Sequence, residues 1–456
     1  MILEPDIFKD YDIRATHNSS VDAEGVGRIG GAIGSFFSPK TVGIGYDMRV
    51  SSQEWFEALS KALTTQGIEV IDFGLISTDM SYFAAGTLDI DIAIMITASH
   101  NPPKDNGMKI VKRGAIGVSG DSGIYDIRDL AISNTAFPVA NIPGNITKVD
   151  ILDDWIAHTL TMADVQTFKP LKVVVDAGNG MAGKFIPAIA KHLPIKIIPL
   201  FFELDGTFPN HLANPLLEEA QHDIVAAVKK EQADLGIMFD GDGDRMFLVD
   251  DTGKFLSGTI TTAMVADQLL QTNKNATILY NAICGRVVPE TIKKRGGISD
   301  RVRVGHTLIK EAMRKQQALF AGEHSGHYYF RDNFNADSGL IAALVVLEMI
   351  SQQNKKLSEI AKTFDVYPSS GEINFSVEDK QAMMDSIAAR YSDAKTDWLD
   401  GLSVWTKTWW ANIRPSQTQP VLRLNVEADS QKILDTMVAE LKNHILAGGG
   451  KIATEH

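Results

Sequence analysis

At 456 residues the chain is too long for one ordinary hydrophobic core, and about two to four domains are expected. Hydrophobic residues at 44% and charged residues at 22% exclude a disordered or low-complexity chain. The net charge of −13 excludes a general nucleic-acid binder, which needs a basic surface, but leaves room for an anionic small substrate in a local basic pocket. The single cysteine, Cys284, has no partner for an internal disulfide, as suits a reducing cytosol. Met1-Ile-Leu-Glu-Pro-Asp6 lacks the basic-then-apolar pattern of a signal peptide. The longest apolar run, 340–347, ends at Glu348 and is too short to cross a bilayer. A cytoplasmic protein without a membrane partner is expected.

The first stretch alternates short apolar strands with amphipathic helices. A strand is expected over 42–45, and Ser51-x-x-Glu54 has the form of a capping box opening a helix. In that helix Trp55, Leu59, Ala62 and Leu63 fall on one face, and Gly67 suits the C-terminal cap. Segments 68–73 and 90–96 follow as strands; their lack of strict alternation fits a sheet covered on both faces. The Pro- and Gly-marked connection 137–144 makes a first boundary.

The pattern then recurs. Strands are expected at 173–175, ahead of Asp176-Ala-Gly-Asn-Gly180, at 195–198 and at 235–239, with a helix carrying Ile224, Val225 and Val228 before the last. A third block holds a strand at 277–280 and helices around 308–313 and 340–349. These are three α/β units of about 100–140 residues each. After Tyr367-Pro-Ser-Ser-Gly371 come a helix, strands around Val404 and over 421–426, and a final helix over 430–446, which together suggest an α+β domain. The expected divisions are 1–143, 144–250, 251–367 and 368–456, with a loose tail from Gly448 onward.

The sharpest local signal is Asp240-Gly-Asp242-Gly-Asp244-Arg245, directly after the apolar strand 235–239. Three carboxylates at alternate positions, with glycines to bend the backbone, can converge on one hard cation. An EF-hand loop wants glycine at its sixth position and glutamate at its twelfth; Arg245 and Asp251 stand there instead, so that reading fails. A solvated acidic turn is the plain alternative. Arg245 beside the carboxylates favours phosphoryl chemistry, which uses a metal together with a fixed guanidinium.

Thr97-Ala-Ser99-His100-Asn101-Pro102 follows the strand 90–96, and ligands of open α/β sheets lie beyond the carboxyl ends of strands. Ser99 is thus placed for chemistry, although it lacks the setting of a hydrolase nucleophile elbow and the same tetrapeptide also suits a simple turn. Lys109 lies close enough in the chain to steady a phosphate or, with a lowered pKa, to move a proton. In Gly322-Glu323-His324-Ser325-Gly326-His327, polar side chains flanked by glycines suit vicinal sugar hydroxyls, with His306 of Val304-Gly-His306 a further member. Arg414-Pro-Ser416-Gln417-Thr418-Gln419-Pro420 gathers anion donors between two prolines. Tyr11-Asp-Ile-Arg14 and Asp47-Met-Arg49 supply further arginines, which suit surface ion pairs equally well.

These loops in this order resemble the α-D-phosphohexomutase superfamily, specifically its phosphomannomutase/phosphoglucomutase branch, over essentially the whole chain. The resemblance implies three α/β domains with mixed sheets plus a smaller C-terminal α+β domain, arranged around a central cleft that the last domain closes. It implies that Ser99 carries phosphate and that Asp240, Asp242 and Asp244 bind Mg²⁺ together with an oxygen on Ser99. It implies that Glu323, Ser325 and His327 face the sugar, that Arg414, Ser416, Gln417 and Thr418 hold the non-reacting phosphate, and that Tyr11, Arg14, Lys109, Arg245 and His306 line the reacting end. The family's phosphate loop usually runs Arg-x-Ser-Asn-Thr-Glu-Pro; here Gln417 and Gln419 replace Asn and Glu, which keeps an amide donor one methylene further out and removes a carboxylate near the anion. The Glu323-His324-Ser325 version is closer to the phosphomannomutase branch than to the phosphoglucosamine one, where glutamine commonly takes the middle place.

The expected activity is interconversion of hexose 1-phosphate and hexose 6-phosphate, of mannose or glucose, through a phosphoserine enzyme. A hexose 1,6-bisphosphate serves as intermediate and activator, Mg²⁺ as cofactor, and Lys109 or His306 handles the hydroxyl proton. A metal-dependent phosphatase with water as acceptor and a non-catalytic sugar-phosphate or calcium-binding module are the competing readings.

Overall fold

The computed structural model describes residues 1–133, 135–416 and 421–453, which form four sheets in chain order. In the first, Thr41–Tyr46 lies parallel to both Glu69–Leu75 and Ile92–Ile96. Asp105–Lys112 then returns antiparallel beside Ile92–Ile96, and Ile13–Thr16 adds antiparallel beyond it. In the second, Leu171–Asp176 lies parallel to Ile195–Leu200 and Leu235–Phe239, and Met246–Asp250 returns antiparallel. In the third, Thr277–Asn281 lies parallel to Ile298–Val302 and Phe320–Gly322, and Tyr328–Phe330 returns antiparallel.

One device therefore repeats three times: a parallel strand runs out of the sheet, turns, and comes back antiparallel along its own edge. The three turns, 97–104, 240–245 and 323–327, carry the motifs singled out in the sequence. The outgoing strands Ile92–Ile96 and Leu235–Phe239 are buried at every residue, which explains their unalternating apolar sequence. The fourth sheet is antiparallel and has six strands, with Trp409–Pro415 and Leu422–Ala428 at its centre. Helices Lys380–Arg390 and Gln431–Ala447 pack on it.

Several expected boundaries move. Ile146–Lys148, given to the second block by a division at 143, pairs with Glu69–Leu75 and extends the first sheet. Phe255–Leu256 likewise belongs to the second sheet rather than the third block, because a tight turn with Gly253 at φ +85° folds it back along Met246–Asp250. The tail is not loose through its first residues: Lys451–Ile452 pairs antiparallel with Phe375 and Ser376. The capping box at Ser51 does not form. Ser51 has helical dihedrals and makes no cap bond; its Oγ accepts from Asn106 Nδ2 at 2.9 Å, while Glu54 lies 3.2 Å from the His17 ring. Gly67, at φ +81° just past the end of the helix Ser52–Thr65, has the left-handed backbone its sequence position suggested.

One continuous core runs through the first three domains, from Phe73 and Met95 through Trp155, Val175 and Phe239 to Phe320 and Leu344. The apolar run 340–347 lies inside it, on the helix Gly339–Gln353, which is buried on nearly every face and so needs no polar side. A second cluster fills the other face of the first sheet under Trp55 and Leu59, and the C-terminal domain has a core of its own around Phe375, Ile413 and Leu441. Among the described residues no helix is long and apolar enough to cross a membrane.

Trp155 is 1% exposed and meets Phe185 edge-on at 5.5 Å, between the first and second sheets. Trp155→Ala is expected to lower the unfolding free energy by about 3–5 kcal/mol, measured by urea denaturation with an unchanged m value.

Candidate functional site

The Ser99 turn is strained as built. Ser99 has φ +53°, a left-handed backbone unusual for a residue with a side chain, and is 1% exposed. Its Oγ donates to Asp240 Oδ2 at 2.6 Å and accepts from Arg245 Nη2 at 3.0 Å. The neighbouring His100 places Nδ1 3.3 Å from the same oxygen and against the Arg245 guanidinium. Burial, then Arg245, hold that imidazole well below its usual pKa, so it is neutral and Nδ1 is an acceptor.

Glycine makes this approach geometrically possible. A Cβ at Gly241 would lie 2.5 Å from the Ser99 carbonyl oxygen, and one at Gly180 would lie 2.6 Å from the Gly241 carbonyl oxygen. Three loops thus stack backbone against backbone, Asp176–Gly180 under 240–245 and 240–245 under Ser99.

Asp240, Asp242 and Asp244 are each 0% exposed, and they offer carboxylate oxygens within 4.8 Å of one another. Burial, then Asp242 and Asp244, push the Asp240 carboxyl well above the carboxylate range, although Arg245 and Ser99 oppose this. Lys109 Nζ bridges Asp242 Oδ2 at 2.8 Å and Asp244 Oδ2 at 2.5 Å, and Thr78 Oγ1 donates to Asp242 Oδ2 at 2.5 Å. Burial disfavours ionisation of Asp242, but Lys109 outweighs it and holds the carboxyl below the usual range. Lys109 responds in kind: burial lowers its pKa, Asp242 and Asp244 raise it further, and the ammonium stays charged rather than poised to lose a proton.

The remaining oxygens, Asp242 Oδ1 and Asp244 Oδ1, are buried and meet no hydrogen-bond donor among the described residues. Hard, anionic, unpartnered oxygens clustered in this way fit a divalent cation, and a fully dry carboxylate without one is costly. The donor set matches a metal site.

The loop 323–327 reaches the same place from the third domain. Arg245 and His327 form an antiparallel bridge, and Met246 N donates to Gly326 O at 3.1 Å. His327 Nδ1 lies 3.2 Å from Ser325 Oγ, and Nε2 lies 3.7 Å from Asp244 Oδ1. Glu323 is 2% exposed, accepts from Asn281 Nδ2 at 3.1 Å, and is also held by the Tyr329 hydroxyl. His306 opens the helix His306–Gln316, with both ring nitrogens buried and without a partner among the described residues. Burial, then Lys310, keep its imidazole neutral. Tyr11 meets it edge-on at 5.9 Å, and Gly305 leaves room for the Tyr11 ring, which a Cβ there would approach to 3.0 Å. Arg14 is tied to Asp12 through Nε at 2.7 Å, while its buried Nη1 has no acceptor among the described residues.

The fourth loop stands apart from this cluster. Arg414 is 6% exposed and lies 3.3 Å from Glu372, which also holds Arg423 at 3.0 Å. Ser416 N donates to Val421 O at 2.9 Å. Gln417, Thr418 and Gln419 lie outside the described residues. His324 of the loop 323–327 lines one pocket with Gly371, Asn425 and Glu427 of the last domain; burial lowers its pKa, and Glu372 and Arg414 act on it in opposite directions.

Sequence reasoning missed Thr78 and the pair Lys310–Asp337. Lys310 Nζ lies 2.7 Å from Asp337 Oδ1 and 3.5 Å from the centre of the Tyr82 ring, with both charged side chains 1% exposed. Lys310 stands one helical turn after His306, which was its only signal; Asp337 and Thr78 are separated from every motif and had none.

Models of four phosphoglucomutase/phosphomannomutase domains match the chain in order: the alpha/beta/alpha domains I, II and III at residues 5–132, 153–253 and 257–367, and the C-terminal domain at 372–444. A phosphomannomutase of Vibrio cholerae is 39% identical over 95% of this chain and 97% of its own length. Phosphohexose mutases of Xanthomonas campestris are 38% identical over 96% of this chain and 98% of theirs. The crystal structure of a phosphoglucomutase/phosphomannomutase family protein from Burkholderia thailandensis superposes with a TM-score of 0.89 at 30% identity, covering 98% of each chain.

Asp79 lies beside the metal-type loop through its neighbour Thr78, and the hydroxyls of Ser77 and of Ser338, at 2.8 Å, donate to its carboxyl. Burial raises that carboxyl from 3.8 to about 7. A raised carboxyl pKa means that the folded state binds the proton more tightly. The associated stability is full below the ordinary pKa and lost as pH climbs through about 7. Asp79→Asn is therefore expected to gain on the wild type as pH rises, by about 2–3 kcal/mol between about pH 5 and about pH 8, in urea denaturation of the metal-free proteins.

Proposed function

The chain belongs to the phosphoglucomutase/phosphomannomutase family and is an intramolecular phosphotransferase acting on hexose phosphates, and on that premise we propose that Ser99 is its phosphate carrier. The observation that carries this reading is the buried meeting of Ser99 Oγ with Asp240 at 2.6 Å and Arg245 at 3.0 Å.

The phosphoryl group on Ser99 passes to the free O1 or O6 hydroxyl of a mannose or glucose monophosphate. The bond from phosphorus to Ser99 Oγ breaks, the bond to the sugar oxygen forms, and the hydroxyl proton leaves to a base. The product of this half-reaction is a hexose 1,6-bisphosphate, which turns over in the cleft and returns its other phosphate to Ser99. Added bisphosphate activates by phosphorylating Ser99 in the same way.

Each nearby group has a distinct task. Arg245 offsets negative charge on the phosphoryl oxygens, and Lys109, held charged by Asp242 and Asp244, supplies a second fixed cation. His306 is the base, because its neutral ring has both nitrogens free of partners among the described residues. Asp240, Asp242 and Asp244, with an oxygen on Ser99, would hold one Mg²⁺, which would supply Lewis-acid polarisation of the phosphoryl group. Tyr11 and Arg14 border the reacting end. Glu323, Ser325 and His327 hydrogen-bond the sugar hydroxyls, and Arg414 and Ser416, with Gln417 and Thr418, grip the phosphate that does not react.

A coupled assay with mannose 1-phosphate, glucose 1-phosphate and glucosamine 1-phosphate, with a trace of bisphosphate, measures substrate choice; hexose 6-phosphate is expected from the first two. Free phosphate should remain a small fraction of product, and a predominance of free phosphate would make the protein a phosphatase instead. Ser99→Ala is expected to lose more than the roughly 10²–10³-fold that removal of a single charge-stabilising donor costs. Chelation with EDTA should abolish turnover and Mg²⁺ should restore it.

A further inference from the structure

The sequence leaves Arg49 open between a site arginine and a surface ion pair; it is 3% exposed and lies directly beneath the Ser99 turn. Its guanidinium donates four hydrogen bonds to carbonyl oxygens, three on that turn and one on Asp105, the first residue of the return strand. Nη2 reaches Ser99 O at 2.8 Å and Asn101 O at 2.7 Å, and Nη1 reaches Pro102 O at 2.7 Å and Asp105 O at 2.8 Å. Its Nε lies 3.3 Å from Asp47 Oδ2. That carboxylate completes a second connection: Thr97 Oγ1 donates to Asp47 Oδ2 at 2.7 Å and accepts from Ser99 N at 2.8 Å. Ser99 is thus held at both its N–H and its C=O by one buried ion pair.

The arrangement extends into the second domain. The Phe208 ring lies 5.2 Å from the guanidinium, and a Cβ at Gly206 would lie 2.6 Å from the Arg49 Cα. A planar fork with five donors can serve four carbonyls in different directions; a lysine ammonium, a point charge with three donors, cannot.

We propose that Arg49 is a positioning residue for phosphoryl transfer: by binding four carbonyls of the nucleophile turn and the start of its return strand it holds Ser99 in its left-handed conformation, so that the phosphorylated side chain faces the sugar hydroxyl rather than water. The inference rests on Ser99 being the phosphate carrier. It has two consequences that loss of stability alone does not produce. Misplacement of the donor by about 1 Å costs roughly 10²-fold in the chemical step while substrate binding, made elsewhere, is kept. A phosphoserine released from its alignment also loses more of its phosphate to water per productive turnover.

The test compares Arg49→Lys and Thr97→Val with the wild type at a temperature where circular dichroism and urea denaturation show all three folded. Arg49→Lys is expected to lower kcat by roughly 10²-fold with KM for mannose 1-phosphate within about threefold, and to raise the phosphate released per mutase turnover. Thr97→Val, which removes the acceptor of the Ser99 amide and the bond to Asp47 while leaving the Arg49 fork in place, is expected to shift both readings the same way by a smaller factor, and it carries the test should Arg49→Lys fail to fold. Wild-type kcat and wild-type phosphate release in a folded Arg49→Lys protein would overturn the proposal, as would a loss confined to KM; should Arg49→Lys fail to fold, wild-type values of both in Thr97→Val would overturn it. Mass spectrometry of the Ser99 peptide during turnover separates the two ideas. Phosphate on wild-type Ser99 together with an indifferent Arg49→Lys defeats the positioning role alone, whereas an active wild type that never carries phosphate there defeats the carrier reading.

Discussion

The structure depends on the burial of three carboxylates against one hydroxyl. Asp240, Asp242 and Asp244 are wholly removed from solvent and lie within 4.8 Å of one another, an arrangement that water would stabilise and the protein interior does not. Lys109 answers two of them and Arg245 the third, yet Asp240 still carries a strongly raised pKa and two oxygens still lack donors among the described residues. The two cations in direct contact with the cluster leave it short of positive charge, which together with burial is why the Asp240 carboxyl is pushed up. A phosphate on Ser99 would add roughly −1.5 to −2 more. A divalent cation would be the remaining term that lets both negative groups occupy the same dry space, and on the proposed function it is why a metal and a phosphoserine would share one site.

The fold supplies that proximity through repetition. Each of the first three sheets ends its parallel portion in a strand that turns back on itself, and each turn delivers one motif to a common point. Turns of this kind are short and stiff, so their reach is set by the sheets behind them. The continuous core from Phe73 to Leu344 fixes those sheets relative to one another. Glycine at 180 and 241 then removes the last steric obstacle, allowing loop to stack on loop at backbone distance. Thr78, whose N–H donates to Asp242 O at 3.1 Å, joins the first and second domains at the same spot.

Legibility in the sequence followed the physics of each element. Strands buried on both faces announced themselves as apolar runs; 235–239 was read to the residue, and the Ser99 and Asp240 motifs were readable because glycines, carboxylates and a serine stood together in short, dense stretches. Helices Thr78–Thr87 and Gly258–Thr272 were not recognised. Nearly all their residues are buried, several of them polar, so they show no one-sided period. The short strands Ile146–Lys148 and Phe255–Leu256 fell on the far side of the expected divisions, because two or three residues carry no periodicity to tie them to the sheet they join. Arg49 was left open between a site and a surface ion pair for a related reason: its four acceptors are backbone carbonyls, which every residue has and no sequence pattern reveals.

The division of labour between domains follows from where the cores end. The reacting groups sit on turns rooted in one shared core, and that rigidity suits a transfer in which the donor must not drift. Arg414 belongs to a domain with a separate core, joined to the rest by a largely polar contact. Arg286 pairs with Glu427 at 3.0 Å and Asp429 at 2.9 Å and lies over the Tyr367 ring, while Glu427 also accepts from Trp410 at 2.9 Å. Polar interfaces of this kind permit domain motion, where a merged apolar core would forbid it. An intermediate phosphorylated at both ends must leave the nucleophile, turn and present its other end, which requires the grip on the far phosphate to loosen while the chemistry stays fixed. If Arg414 grips the far phosphate as proposed, placing that grip on the separately built domain and the chemistry on the fused ones would meet both demands.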